Sequence, residues 1–413
     1  VKIKFIVVII VFFQTLNFQC GEINGEDGKV AEKSKVQKPG FSTQVIVGAE
    51  RLQRYLPVIA GKKIAMMVNQ TSRLGGQHLV DTLLRLNVQI EKIFAPEHGF
   101  RGTADAGEKL QNGLDAKTGI PVISLYGRKR KPSPEDLRGI AVVLFDIQDV
   151  GARFYTFISS MHHVMEACAE NEVEFLVLDR PNPNGHYVDG PVLNKSHQSF
   201  VGMDEVPVVH GMTVAEYARM LNGEGWLSGG RKCRLEWVAC QNYNHQTRYY
   251  LPVKPSPNLP NMRAIYLYPS LCFFEGTVVS VGRGTDKQFQ IFGAPKFQGG
   301  NFSFVPQPMA GAKYPKHQGE QCFGYDLTKL KIEDLEKRNS LNMSYLIDFY
   351  NTYPDKENFF LKNLFFDKLA GGTKLREQIV SGKSKEEIRV SWQKKLADFQ
   401  TIRKKYLLYP DFE

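Results

Sequence analysis

Residues 140–181 read IAVVLFDIQDVGARFYTFISSMHHVMEACAENEVEFLVLDRP. An apolar run (140–149) closes on Asp146 and Asp149, a stretch with helical spacing follows (154–171), and a second apolar run (173–181) closes on Asp179 and Arg180. Two strands separated by a helix cannot form a hairpin; the chain crosses over the sheet between them, and strands joined that way lie parallel. Apolar residues at consecutive positions indicate strands covered on both faces.

The same unit recurs upstream. KKIAMMVN (62–69), VQIEKIFA (88–95) and IPVISLYG (120–127) read as further buried strands, and HLVDTLLRLN (78–87) as an amphipathic helix. Strands alternating with helices specify an α/β fold with a Rossmann-like, doubly wound sheet. Beyond residue 205 the alternation loosens. Thr213 is placed to cap a helix in VVHGMTVAEYARMLNGEGWL (208–227). The proline- and aromatic-rich segment 249–277 suits an extended lining for a cleft. Residues 385–409 read as one long helix within a smaller α+β domain at the C-terminus. The expected organisation is a catalytic domain over 43–290 and an auxiliary domain over 291–413, after two segments of another kind.

Residues 1–20, VKIKFIVVIIVFFQTLNFQC, have a lysine-bearing start and an apolar run too short to span a bilayer comfortably, the pattern of an export signal. Residues 21–42 are polar and aperiodic, and read as a flexible tether. Cys20 offers a lipid-anchor site in the periplasm or cell envelope, although Gln19 is bulkier than the residue that lipoprotein processing takes, so both forms stay open. The other five cysteines are scattered without a CxxC, and Cys168 sits on an apolar helix face as a core thiol. A net charge of +10 is dispersed along the chain, with no basic block interleaved with aromatics, so no nucleic-acid partner is expected. Oligomeric state is not legible.

In open α/β sheets ligands bind beyond the carboxyl ends of the strands. Those ends carry Asn69, Gln70 and Thr71; Glu97 and His98; Tyr126; Asp146, Gln148, Asp149 and Arg153; and Asp179, Arg180 and Asn182. No GxGxxG and no P-loop occurs, so the sheet implies no nucleotide cofactor. Glu97 is the leading catalytic candidate, a general acid with Phe94, Pro96 and Phe100 as an apolar wall. A glycosidase needs a second carboxylate, for which Asp146 and Asp149 are the candidates. Glu275, in FFEGT, is a third, and Arg283 lies on the glycine-rich loop of SVGRGTD. Arg153 and Arg180 either pair with neighbouring aspartates or clamp a substrate carboxylate. The histidines lack coherent ligand spacing, and no metal is expected.

The blocks VNQTS, FAPEHGFRG, FDIQDVGARFYT, LDRPNPNG, VPVVHGMTVAEYA, PSPNLPN and FEGT…SVGRGTD resemble the signature blocks of the NamZ exo-β-N-acetylmuramidases, from about Gly48 to the C-terminus. The resemblance implies a glycoside hydrolase that removes N-acetylmuramic acid (MurNAc) from the non-reducing end of peptidoglycan fragments such as MurNAc-GlcNAc. It implies a cleft between a Rossmann-like and an auxiliary domain, with the family glutamate on Glu97 and its aspartates and arginine on Asp146, Asp149 and Arg153. Asn69, His98, Arg153, Tyr155, Asp179, Arg180, Glu275 and Arg283 are the expected sugar-binding set. Two rival readings remain: a non-catalytic muropeptide-binding lipoprotein, and a metal-dependent hydrolase.

Overall fold

The computed structural model describes residues 44–101 and 112–412. The leader, the tether and Cys20 lie outside the described residues. Seven strands form the main sheet: β1 (Lys63–Val68), β2 (Gln89–Ala95), β3 (Gly113–Leu114), β4 (Pro121–Ser124), β5 (Val142–Asp146), β6 (Glu174–Leu178) and β7 (Arg234–Val238). Their order is β3-β4-β2-β1-β5-β6-β7. Only β3 runs antiparallel to its neighbour among these strands; every other pairing is parallel. The chain winds outward from β1 through β2 to β4, then returns to β1's other side at β5, so the topological switch point lies between β1 and β5.

The consecutive apolar positions are explained by two cores, one on each face. Ala65, Met67, Val143, Phe145, Phe175 and Val177 enter the core beneath α3 (Phe157–Glu170) and α4 (Val214–Gly223). Their neighbours Ile64, Met66, Val68, Leu144, Leu176 and Leu178 enter the opposite core, with α1 (Leu52–Ile59) and α2 (Leu79–Arg85). The strand period of two sends alternate residues to each face. Thr213 caps α4 as expected: its hydroxyl accepts from the Glu216 amide, and its own amide donates to the Glu216 carboxylate at 2.9 Å.

Three readings need correction. Residues 262–271 are helical (α5, Met262–Leu271), not extended, although Ser256 and Asn258 just before them do line the cleft described below. The edge strand β7 has no strong apolar pattern and was not anticipated. The single helix expected over 385–409 is two, α6 (Lys385–Val390) and α7 (Gln393–Lys404), and the last residues leave the helix altogether. The break follows from a long-range demand: Trp392 is buried and donates its indole N–H to Asp189, which also receives Arg389 at 2.8 Å. The smaller part is α+β as expected, with an antiparallel sheet of β8 (Ile291–Ala294), β9 (Phe302–Phe304) and β10 (Cys322–Asp326) in the order β8-β10-β9. All five described cysteines, Cys168 included, are buried free thiols.

The tail after α7 docks onto the sheet part through buried polar contacts. The Tyr409 hydroxyl donates to Asp179 Oδ2 at 2.5 Å and accepts the Cys240 amide at 2.7 Å, and the Leu408 amide donates to Glu216 at 2.8 Å. Arg403, fully buried, bridges the Gly211 carbonyl and Asp411. Removing one member of such a network leaves buried partners unsatisfied, at a cost of about 1–3 kcal/mol. Tyr409→Phe is therefore expected to lower the unfolding free energy by that amount, read as a lower urea midpoint with an unchanged m-value. A midpoint equal to wild type would show that the tail does not hold the fold.

Candidate active site

The turn after β2 sets the first wall of the site. His98 and Gly99 both take left-handed backbone conformations (φ +67° and +77°), and the Gly99 amide donates to the Pro96 carbonyl at 3.0 Å. A non-glycine residue there is uncommon, and such strain clusters at functional sites. Glu97, half-buried, accepts a hydrogen bond from the Thr156 hydroxyl at 3.1 Å. Thr156 stands at the N-cap position of α3, but its hydroxyl makes no capping bond and is spent on Glu97 instead.

Glu97 and His98 open onto a cavity of about 460 Å³. Its apolar surface comes from Phe154, Tyr155, Phe157, Tyr268 and Phe289, packed edge to face, with the Tyr155 hydroxyl donating to the Pro255 carbonyl at 2.9 Å. This corrects the expected wall: Phe94 is in the core, and Phe100 packs against His78. Glu275 and Arg283 also line the cavity and pair at 3.1 Å. Burial would raise the Glu275 carboxyl, but the charges of Arg283 and Lys316 outweigh it and hold the pKa below its usual value. Lys316 gives its ammonium to the carbonyls of Phe274, Thr277 and Val279. Burial pushes the Cys272 thiol up, so it lines the cavity as an inert group.

Five of the expected residues thus meet in one cavity: Glu97, His98, Tyr155, Glu275 and Arg283. Six do not. Asp146 is fully buried in a bidentate pair with Arg180, at 2.6 and 2.9 Å, so both are scaffold. Arg153 fits neither reading offered for it. Its guanidinium is fully buried with no carboxylate partner among the described residues, and it donates to the carbonyls of Pro191, Val206 and Leu369 at 2.7–2.8 Å. Asn69 is consumed in a turn, its side-chain oxygen accepting the amide and hydroxyl of Thr71. Asp179 anchors Thr213, the Ala215 amide and Tyr409 behind the sheet. Asp149 accepts the Gly151 amide at 2.6 Å and lies behind Tyr155 rather than in the cavity. Sequence reasoning missed Thr156, Arg130, Phe200 and Lys368, which line the cavity from segments far apart in the chain.

With this geometry in place, the comparisons with known proteins are decisive. A family model described as the N-terminal part of exo-β-N-acetylmuramidase NamZ matches residues 64–263, and its C-terminal counterpart matches 266–409. The chain belongs to the NamZ family. It is therefore an enzyme of the glycoside hydrolase class. It is 37% identical over 407 residues to the peptidoglycan β-N-acetylmuramidase NamZ of Bacillus subtilis (strain 168), covering 92% of this chain and 93% of that one. Two crystal structures of DUF1343 family proteins from Bacteroides fragilis share the fold. One has a TM-score of 0.83 at 47% identity, over 89% of this chain and all of its own; the other 0.77 at 29%, over 88% and 99%. The cavity described here is thus the candidate active site of a NamZ-family chain.

Two expected outcomes separate scaffold from site. Arg153→Met strands three carbonyls, two of them buried, and is expected to lower stability by at least about 2 kcal/mol, read by denaturant unfolding. A stable variant with a raised KM would restore the substrate-clamp reading. Burial pushes the Asp149 carboxyl up from 3.8 to about 7. Because the native pKa lies above the unfolded one, the folded protein holds an extra proton in between. Wild type then loses stability as pH rises from about 4 to about 7, by up to about 1.4 kcal/mol per unit. Asp149→Asn cannot titrate and is expected to gain on wild type over that window; a difference that stays constant from pH 5 to 8 would contradict the raised pKa.

Proposed function

We propose that this chain hydrolyses the β-1,4 bond of a non-reducing-end MurNAc in peptidoglycan fragments, with Glu97 protonating the departing sugar oxygen. The observation that carries this is Glu97 itself: a half-buried carboxylate, oriented by Thr156, on the wall of a cavity whose apolar surface is largely aromatic. Aromatic faces suit the apolar faces of a pyranose, and a cavity of this size suits an exo-acting enzyme that takes one terminal sugar at a time. Glu275 is the second carboxylate of the cavity among the described residues, held in its charged form by Arg283, and it is placed to stabilise the positive charge that develops in an oxocarbenium-like transition state. The MurNAc acetamido group supplies a nucleophile of its own, so no protein nucleophile is required. The leader-like segment 1–20 supports export to the compartment that holds the polymer, where the enzyme serves wall turnover.

Wild type and Glu97→Gln are compared on MurNAc-β-1,4-GlcNAc in the presence of EDTA, with released MurNAc read by mass spectrometry. The substitution is expected to reduce turnover by about 10²–10⁴-fold at an unchanged melting temperature. Equal turnover by both would remove Glu97 as the acid. Binding without turnover by either would favour a muropeptide-binding protein, and loss of wild-type turnover in EDTA alone would favour a metal-dependent hydrolase.

A further inference from the structure

With Arg153 and Arg180 both committed to the scaffold, the cavity needs another receptor for an acidic substrate. Among the described residues, three cationic side chains line it: Arg130, Arg283 and Lys368. Arg283 is already neutralised by Glu275 at 3.1 Å. Lys368 is an exposed point charge on a short helix (Phe365–Ala370) and lacks a planar donor fork.

Arg130 differs in how it is held. It follows β4 on an exposed loop, and its guanidinium lies 4.5 Å above the ring of Phe200. Phe200 is stacked in turn on His163, with the two rings 9° from parallel, and touches Tyr126. The segment carrying Phe200 is fixed from below, because Asp204 is buried against His162 at 2.9 Å and accepts the Tyr217 hydroxyl at 2.9 Å. His162 is pushed up to about 9, where the carboxylates of Asp204 and Glu166 outweigh burial, so this anchor is an ion pair at neutral pH. Stacking uses the face of a guanidinium and leaves its in-plane N–H groups available. Among the described residues no carboxylate lies within ion-pair distance of Arg130.

We infer that Arg130, braced on Phe200, is the receptor for the substrate's own carboxylate, and that it sets the preference for an acidic sugar. The inference rests on the muramidase reading above, which gives the terminal sugar a lactyl carboxylate within the same cavity. Two in-plane N–H groups then meet the two carboxylate oxygens, a bidentate pair that a lysine cannot reproduce.

The test uses the full chain and two substrates: the 4-nitrophenyl β-glycoside of MurNAc, and the same compound with its lactyl carboxyl methylated. Wild type is expected to show a KM about 10- to 100-fold lower for the acid than for the ester. Arg130→Met is expected to bring that ratio to within about 3-fold while kcat on the acid stays within a few-fold, and Arg130→Lys is expected to fall between. An Arg130→Met variant that keeps the wild-type ratio overturns the assignment, as does a ratio that collapses only in Lys368→Met. The muramidase reading fails separately, through wild type that turns over neither compound. Melting temperatures equal to wild type are expected throughout, since Arg130 is exposed.

Discussion

A guanidinium buried without a counter-charge is unfavourable unless dipoles replace its water, and Arg153 meets that demand from three directions. Pro191 and Val206 present carbonyls from the segment after β6, and Leu369 presents one from a helix 216 residues further along the chain. Two glycines make room: a Cβ at Gly371 would lie 2.9 Å from the guanidinium, and Gly202 packs along its stem. The segments so joined include three that line the cavity, namely Phe154–Phe157 beside Arg153 itself, Ser199–Val201, and Phe365–Leu369. None of them can withdraw without stranding the charge. The aromatic walls around Glu97 therefore keep their spacing because Arg153, outside the cavity, holds their backbones together.

The carboxylates divide along the same line. Asp146 is held by Arg180, Asp179 by two hydroxyls and an amide, and Asp149 by the Gly151 amide, and each pins a loop at the carboxyl end of the sheet. Burial lifts Asp149 and Asp179 to about 7, whatever their hydrogen bonds do to lower them. Glu97 and Glu275 instead open on the cavity, one steadied by a hydroxyl and the other by a guanidinium. The same residue type thus serves as scaffold or as candidate chemistry according to what surrounds it.

That division explains what the sequence made legible. Central strands declare themselves because both their faces are buried, as in β1, β5 and β6, and β2 and the less buried β4 also fall within the runs read from the sequence. Glu97 was legible as a carboxylate at a strand end before a glycine-rich loop. Asp146 looked the same, and what separates them is Arg180, 34 residues away, arriving at 2.6 Å. The break between α6 and α7 depends on Asp189, 203 residues before Trp392. Thr156 gave a local signal, a hydroxyl before a helical run, yet its partner lies 59 residues upstream. Periodicity reports which face is buried, and it is silent on which distant segment arrives there.

The switch point shows why the C-terminal part belongs to the site. In a doubly wound sheet the natural crevice lies between β1 and β5, but here the loops fill it. The Thr71 hydroxyl accepts the Gln148 amide at 3.0 Å, and the Ser72 hydroxyl bonds the Asp146 carbonyl. Closed at that point, the sheet offers its carboxyl edge farther out, where β2 delivers Glu97 and β4 delivers Tyr126 and Arg130. The sheet supplies only part of a wall there. Tyr268, Glu275, Arg283 and Phe289 come from beyond the N-terminal family match and add to it. Neither part alone encloses the cavity, and Arg153, reaching from the β5 loop to Leu369, ties the two halves of that enclosure together.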